Sequence, residues 1–373
     1  MGTNSTKLRV LIMKKLRSLI GLILVLFLFV SLIYLISNGR PQSPSKNLLQ
    51  WQIRGLLIGA WGDYAVVKNE SNILILDIST GRILKKIKGV REALLSNSLL
   101  VITHQNSSAT NIDLNTNIAV HFSIPFNASY GIKFDNFTIY IFQKEESSRK
   151  VKIIYKICKK HCETYSLMAY DAVPAIYAFD RALVLTFRTL DSMYPSQLII
   201  VNTRGVSNVS VEHSVLDTTL SSENIIISSG TGSESYIYAF SLGGKLLWKR
   251  NKTPSEKCIQ AYDGKIYGVS EKSIDVFSSD GYYAGSRMFF NGSTAGGNFQ
   301  CAKSGDGFAI YYSYVDMRTY KSITRLCHYN FRNDKLMCIP VSEIEKIAYG
   351  KHILIQQKGI VESIELGNRV DTS

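Results

Sequence analysis

Two apolar patterns run along the 373-residue chain. One is a single unbroken block, "SLIGLILVLFLFVSLIYLIS" (18–37), without a charged side chain. The other recurs. Short alternating runs rise to a turn and leave it again, as in "YIYAFSLGGKLLWKR" (236–250), where the turn is Gly-Gly and the second run carries Trp248. Alternation with period two predicts half-buried strands, so each such stretch reads as strand, turn, strand. Relatives are "NILILDISTGRILKKIKG", "ATNIDLNTNIAVHFSI", "VKIIYKICKKHCETYSLM", "QLIIVNTRGVSNVSVEH", "SIDVFSSDGYYAGSRMF" and "ITRLCHYNFRNDKLMCIPV". Their turn centres fall near Gly81, Asn117, Lys160, Gly205, Gly244, Gly281 and Asn333. Gly and Asn dominate because hairpin turns need positive φ.

Further strand pairs separate these hairpins, such as "GLLIGAWGDYAVVKNE", "EKCIQAYDGKIYGVSE" and "GNFQCAKSGDGFAIYYSYV". Each unit therefore holds four antiparallel strands in roughly 35–50 residues, the size of a β-propeller blade. Seven units are complete, and the C-terminal "VSEIEKIAYGKHILIQQKGIVESIELGNR" supplies three strands of an eighth. At the other end "NLLQWQIRG" (47–55) is a strand without a unit. Ring closure joins the two, with 48–53 as the outer strand of blade eight, which removes an open edge of unpaired backbone groups. Trp51 then occupies the place in its blade that Trp248 has in its own. The expected fold is all-β, an eight-bladed β-propeller over 47–373 preceded by one transmembrane helix; seven blades is the alternative count.

Twenty helical residues at about 1.5 Å each span roughly the 30 Å hydrocarbon core of a bilayer. Before the block stand Lys7, Arg9, Lys14, Lys15 and Arg17. That asymmetry predicts a cytoplasmic N-terminus (1–17), a signal anchor (18–37), a linker (38–46) and an extracellular domain. A cleaved signal peptide is the competing reading, but its apolar region would be about 7–15 residues long and end in a small-x-small site, unlike "ISNGR". Residues 1–46 carry seven Lys/Arg and no Asp/Glu, so of the formal net charge of +14 only +7 belongs to the remainder. That mild excess argues against nucleic-acid binding, which wants a clustered basic face.

The six cysteines suggest three pairs. Cys158 and Cys162 flank a tight turn. Cys327 and Cys338 stand opposite each other if their hairpin turns at Arg332-Asn333. Cys258 and Cys301 both open a Cys-x4-Asp-Gly stretch, as equivalent positions in successive repeats. An even count fits disulfides in an oxidising compartment, although connectivity stays open and Cys158/Cys162 alone has near-ligand spacing for zinc. Glycosylation sequons lie at Asn69, Asn106, Asn127, Asn136, Asn208, Asn251 and Asn291, each in or beside a predicted turn. Asn4 also matches, on the cytoplasmic side. Together these features point to a cell surface, archaeal in compositional style.

"AFSLGGKLLW" and "LDISTGRIL" resemble the pyrroloquinoline-quinone (PQQ) type repeat through Ala239, Gly244, Lys245 and Trp248 in one blade and Asp77, Thr80 and Gly81 in another. Ser241 replaces the usual Asp, and that turn is one residue short. The resemblance implies a quinoprotein-like propeller. Quinoprotein dehydrogenases, by the same resemblance, use an adjacent Cys pair that this chain lacks, so no quinone is expected. The Trp is expected to pack between blades.

Candidate chemistry is sparse. His104, His121, His161, His213, His328 and His352 scatter over different blades without a ligand-like couple, and no metal or other cofactor is expected. "SSGTGS" (228–233) joins two strands rather than opening a helix, so it is no phosphate cradle. "YAGSRMFFNGSTAGGN" (283–298) reads as an inter-blade connector. Asp171, Asp180, Asp217, Asp263 and Asp306 lie near inner strands or turns; two carboxylates across a channel could perform acid/base work, whereas the simpler role is turn capping. The expected function is a non-catalytic, membrane-anchored scaffold that binds a protein or a surface glycan through its loops. The alternative is an extracellular propeller enzyme, either a quinone- or metal-dependent oxidoreductase or a hydrolase.

Overall fold

The computed structural model describes residues 49–147, 149–188, 195–231, 234–252, 256–290, 294–317 and 320–365, with the side chains of 294–296 excepted. The segments expected as cytoplasmic end, signal anchor and linker (1–46) and the sequon at Asn291 lie outside them. Among the described residues no helix is long and apolar enough to cross a membrane.

Among the described residues, thirty-two strands form eight four-stranded antiparallel sheets. After β1 (Leu49–Arg54), blade 1 is β2 (Leu56–Trp61), β3 (Tyr64–Asn69), β4 (Asn72–Asp77) and β5 (Ile83–Ile87). Blade 2 is β6 (Val90–Ser96), β7 (Leu99–His104), β8 (Ser108–Asp113) and β9 (Ile118–Ser123). Blade 3 is β10 (Tyr130–Phe134), β11 (Phe137–Ser147), β12 (Lys150–Cys158) and β13 (Cys162–Tyr170). Blade 4 is β14 (Val173–Ala178), β15 (Ala182–Arg188), β16 (Ser196–Asn202) and β17 (Gly205–Val211). Blade 5 is β18 (Val215–Ser221), β19 (Asn224–Gly230), β20 (Ser235–Ser241) and β21 (Leu246–Asn251). Blade 6 is β22 (Cys258–Tyr262), β23 (Lys265–Val269), β24 (Ser273–Ser278) and β25 (Tyr283–Met288). Blade 7 is β26 (Thr294–Ser304), β27 (Gly307–Asp316), β28 (Lys321–Asn330) and β29 (Lys335–Pro340). Blade 8 is β30 (Lys346–Tyr349), β31 (Ile353–Gln357) and β32 (Ile360–Ile364), completed by β1.

The closing strand forms as expected, one residue later than predicted: Trp51 faces Ser363 and Arg54 faces Ile360 in the register of β1 on β32. The molecule is an eight-bladed propeller, and the seven-blade alternative is set aside. The stretch 283–298 is largely β25 and the start of β26 rather than a connector. Likewise 228–230 finish β19 instead of lying in a loop.

The middle strands are apolar at nearly every position because both of their faces are covered, each by a neighbouring blade. In β4, Ile73 and Ile75 face blade 2 while Leu74 and Leu76 face blade 8. In β15, Leu183 and Leu185 face blade 3 while Ala182 and Val184 face blade 5. Period-two alternation thus serves two cores at once. Eight apolar clusters result, one at each junction between blades, and the smallest buried set (Ala109, Ile124 and Ala128) lies between blades 2 and 3.

The two tryptophans expected to correspond do so. Trp51 lies on the turn of blade 1, where a Cβ at Gly81 would come 2.6 Å from its Cγ. Trp248 lies on the turn of blade 6, where a Cβ at Gly281 would come 2.6 Å from its Cζ3. Both glycines also need positive φ, at 71° and 77°. A side chain there would strain the turn and displace the indole. The Trp51 Nε1 donates to the Ile78 carbonyl at 2.7 Å, tying the closing strand to blade 1.

Candidate functional site in the axial channel

The innermost strands surround a cavity of about 280 Å³. Its lining comes from seven blades: Ile58–Trp61, Leu95–Asn97, Ile176 and Tyr177 with Arg188, Leu216 and Asp217, Lys257 and Cys258, Cys301–Lys303, and Ile347–Tyr349. Among the described residues, blade 3 contributes nothing to this lining. Its inner strand β10 is instead held by Asn111 of β8, whose Oδ1 accepts from Lys133 N at 2.6 Å and whose Nδ2 donates to Gly131 O at 2.9 Å. Blade 2 consequently meets blade 4 directly: Ala178 N donates to Ser96 Oγ at 2.9 Å, and Asn97 Nδ2 donates to Ala178 O. Bulges in β2 and β18 place Ile58 and Leu216 out of ladder register at this lining. Such a bulge re-aims its side chain.

Asp217 is buried at the channel wall. Its Oδ2 accepts from Ile259 N at 2.9 Å and from Lys303 Nζ at 2.8 Å. Lys303 also donates to Thr218 O at 2.6 Å and Ile259 O at 3.0 Å, which uses all three of its protons. This pair binds blades 5, 6 and 7. Burial pulls the Lys303 ammonium below the usual lysine range, opposed by the charge of Asp217. Arg188 lines the same cavity: its Nη2 and Nε lie 3.2 and 3.4 Å from the Tyr177 hydroxyl, and the charge of Asp217 acts on it at longer range. Burial raises Tyr177 above the ordinary tyrosine range, so that hydroxyl is neutral. Lys346 donates to Ile58 O at 3.2 Å, and burial together with the charge of Arg188 lowers it.

Of the five aspartates singled out by sequence, only Asp217 enters the channel. Asp171 pairs with Arg149 at a turn (Oδ2 to Nε 2.8 Å), and Asp306 pairs with Arg332 at 2.8 Å. Asp180 and Asp263 occupy exposed turns. No two of these carboxylates meet. Sequence reading missed Arg188, Tyr177, Lys303 and Lys346. Lys303 had a weak signal, since it lies two residues after Cys301 where the preceding repeat has Gln260; Arg188 had none.

A second buried cluster also went unread. Glu256 lies against Gly268, where a Cβ would come 2.6 Å from its carboxyl. Burial first, and then the neighbouring charge of Asp275, push Glu256 well above the usual carboxylate range. Lys252 Nζ sits 2.6 Å from Asp275 Oδ2 and 3.8 Å from Glu256 Oε1.

The histidines are less scattered than expected. His104 and His121 share blade 2, with Thr110 Oγ1 between them at 2.8 and 2.9 Å. Burial, then its partner His121, lowers His104. Among the described residues no three His, Cys, Asp or Glu side chains converge as metal ligands.

All six cysteines are paired as the spacing suggested: Cys158–Cys162, Cys258–Cys301 and Cys327–Cys338. The first and third close hairpins within a blade, and the second crosses from blade 6 to blade 7. Of the sequons, Asn106, Asn127 and Asn136 are exposed in turns and Asn69 ends β3 half-buried. Asn251 ends β21, and Asn208 lies within β17 rather than at its turn, exposed because β17 is the outermost strand of its blade.

No protein-family model matches the chain. No curated protein matches it. Solved structures do. The computationally designed Ika8 protein shares 11% identity and a TM-score of 0.52, over 86% of this chain and all of that one. BamB from Moraxella catarrhalis shares 12% and 0.46, over 84% and 98%; Sqt1 from Saccharomyces cerevisiae shares 9% and 0.47, over 86% and 100%. At such identities the likeness is one of fold alone.

Proposed function

We propose that the chain is a membrane-anchored scaffold of the cell surface, with a quinoprotein-like propeller held outside by a helix over 18–37 and N-terminal residues 1–17 in the cytoplasm. The propeller binds a protein or a surface glycan through its loops and performs no catalysis. The observation that carries this reading is the complete pairing of six cysteines, one pair joining two blades. Such bonds persist in oxidising compartments. A disulfide-tied closed ring is a rigid platform, and function on such platforms sits in the connecting segments. The exposed sequon asparagines fit the same side of the membrane, where a glycan needs an accessible acceptor. The Trp51 and Trp248 contacts with turn glycines of the next blade support the quinoprotein-like repeat.

The test is surface labelling of intact cells with a membrane-impermeant amine reagent, followed by crosslinking in native membranes. Lysines of the propeller should label without permeabilisation, peptides bearing Asn106, Asn127 or Asn136 should carry glycan mass, and a partner should crosslink to the loops. Labelling only after permeabilisation would overturn the location. Monomer alone after crosslinking under several conditions would overturn the scaffold role.

A further inference from the structure

We propose that the axial channel is a binding site for one small oxyanion or carboxylate, held by the guanidinium of Arg188. The site does not depend on the cell-surface reading above. Four charged side chains act on one another here: Asp217, Lys303, Arg188 and Lys346. Asp217 is committed to Lys303 and to a backbone N–H. Among the described residues no carboxylate stands within ion-pair distance of Arg188, which lines the cavity, or of Lys346 beside it; Asp217 acts on Arg188 only at longer range, so the group carries two excess positive charges.

Arg188 is exposed at the end of β15 and Lys346 is half-buried, so these charges stay hydrated, and a cavity with an excess of positive charge draws an anion toward it. Arg188 is also built for the task. Its contacts with Tyr177 occupy Nε and Nη2. A guanidinium carries five donors in a planar fork, so its other donors face no protein partner among the described residues. The Tyr177 ring lies 5.7 Å from the guanidinium carbon and its hydroxyl fixes one edge, so the fork is oriented before any ligand arrives. Carboxylates and phosphates accept two parallel N–H bonds from such a fork. The cavity, about 280 Å³, falls just below the ~300–1,000 Å³ range of ligand pockets, which suits a small anion rather than a large cofactor.

The experiment is calorimetric titration of the full-length chain in detergent, at fixed ionic strength, with inorganic phosphate and separately with malonate. Saturable binding of either at one per chain is expected, and which of the two binds identifies the phosphate-like or dicarboxylate form of the ligand. Arg188→Gln should weaken it at least tenfold, while Arg181→Gln, at the exposed turn between β14 and β15 and outside the cavity lining, should leave it unchanged. A second readout needs no variant: modification of Arg188 by phenylglyoxal, followed by peptide mass spectrometry, should slow at least fivefold with the bound anion present. No saturable binding of either anion, equal affinity in Arg188→Gln, or an unprotected Arg188 would each overturn the proposal.

Discussion

Blades 5 to 8 and blade 1 are joined differently from blades 2 to 4. In the first group three junctions are made by a side chain that captures a backbone N–H of the next inner strand: Asp217 of β18 takes Ile259 N, Gln300 of β26 takes Ile347 N at 3.1 Å, and Gln356 of β31 takes Leu57 N at 2.7 Å. The blade 6–7 junction has the Cys258–Cys301 disulfide. In the second group Asn111 reaches from a third strand to hold β10 away from the channel, and blade 2 closes on blade 4 through Ser96 and Asn97. One region uses a buried ion pair and a covalent bond; the other uses neutral side chains and the Arg91 guanidinium, which donates to the Ala128 carbonyl on the way into blade 3. A ring of equal blades can absorb one withdrawn member when its neighbours meet behind it.

The contrast is broken most severely at Asp217. Asp217→Ala strands the Lys303 ammonium and one N–H, and should cost about 3–5 kcal/mol, the price of an uncompensated buried charge. Asp217→Leu with Lys303→Met should cost less than Asp217→Ala alone, since both charges leave together. Urea denaturation of the three proteins checks this, and a double variant as unstable as the single would refute the charge argument.

Disulfides give the next contrast. Cys258–Cys301 spans 43 residues and Cys158–Cys162 spans 4. Loop-closure entropy alone predicts a loss of about 4 kcal/mol on removing the first and about 2 kcal/mol on removing the second. Paired Cys→Ala variants compared by denaturant midpoint decide it; equal losses would mean that loop length is not what these bonds act through.

How much of this was legible follows from where each signal lives. Blade number was readable because Gly81, Gly244, Gly281 and Asn117 mark turns at positive φ, a local property of one or two residues. Ring closure was readable because β1 had an apolar face and no partner nearby in sequence. The withdrawal of blade 3 was not, because it rests on Asn111 meeting Lys133 N across two blades. Arg188 was hidden for the same reason. It ends a buried strand like many surface cations, and only the closed ring turns that position toward an axis.

Glu256 tests the first region through pH. Its folded form holds a proton more tightly than the unfolded chain does, because burial and Asp275 penalise its charge. Above the unfolded pKa of about 4.3 the unfolded state has lost that proton while the folded state retains it. Stability then falls as pH rises, by up to about 1.4 kcal/mol per unit, until the folded pKa is passed. Glu256→Gln lacks this loss. It should match the parent near pH 4 and gain on it as pH rises, until the folded pKa is passed, read as melting temperature against pH. Parallel curves would show that Glu256 ionises freely in the fold.

The smallest effect is expected where blade 2 meets blade 4. Ser96→Ala removes the acceptor of Ala178 N, and an unpaired buried N–H costs about 1–3 kcal/mol. Here the lower end, about 1 kcal/mol, is expected, because Ser96 and Asn97 line the channel cavity and water can take the vacated position. Ser96→Thr keeps the hydroxyl and should recover most of the loss in the same denaturation assay. A cost at Ser96 equal to that at Asp217 would mean the neutral junction bears as much as the charged one. Blade 3 would then be clamped in place by the blades on either side of it.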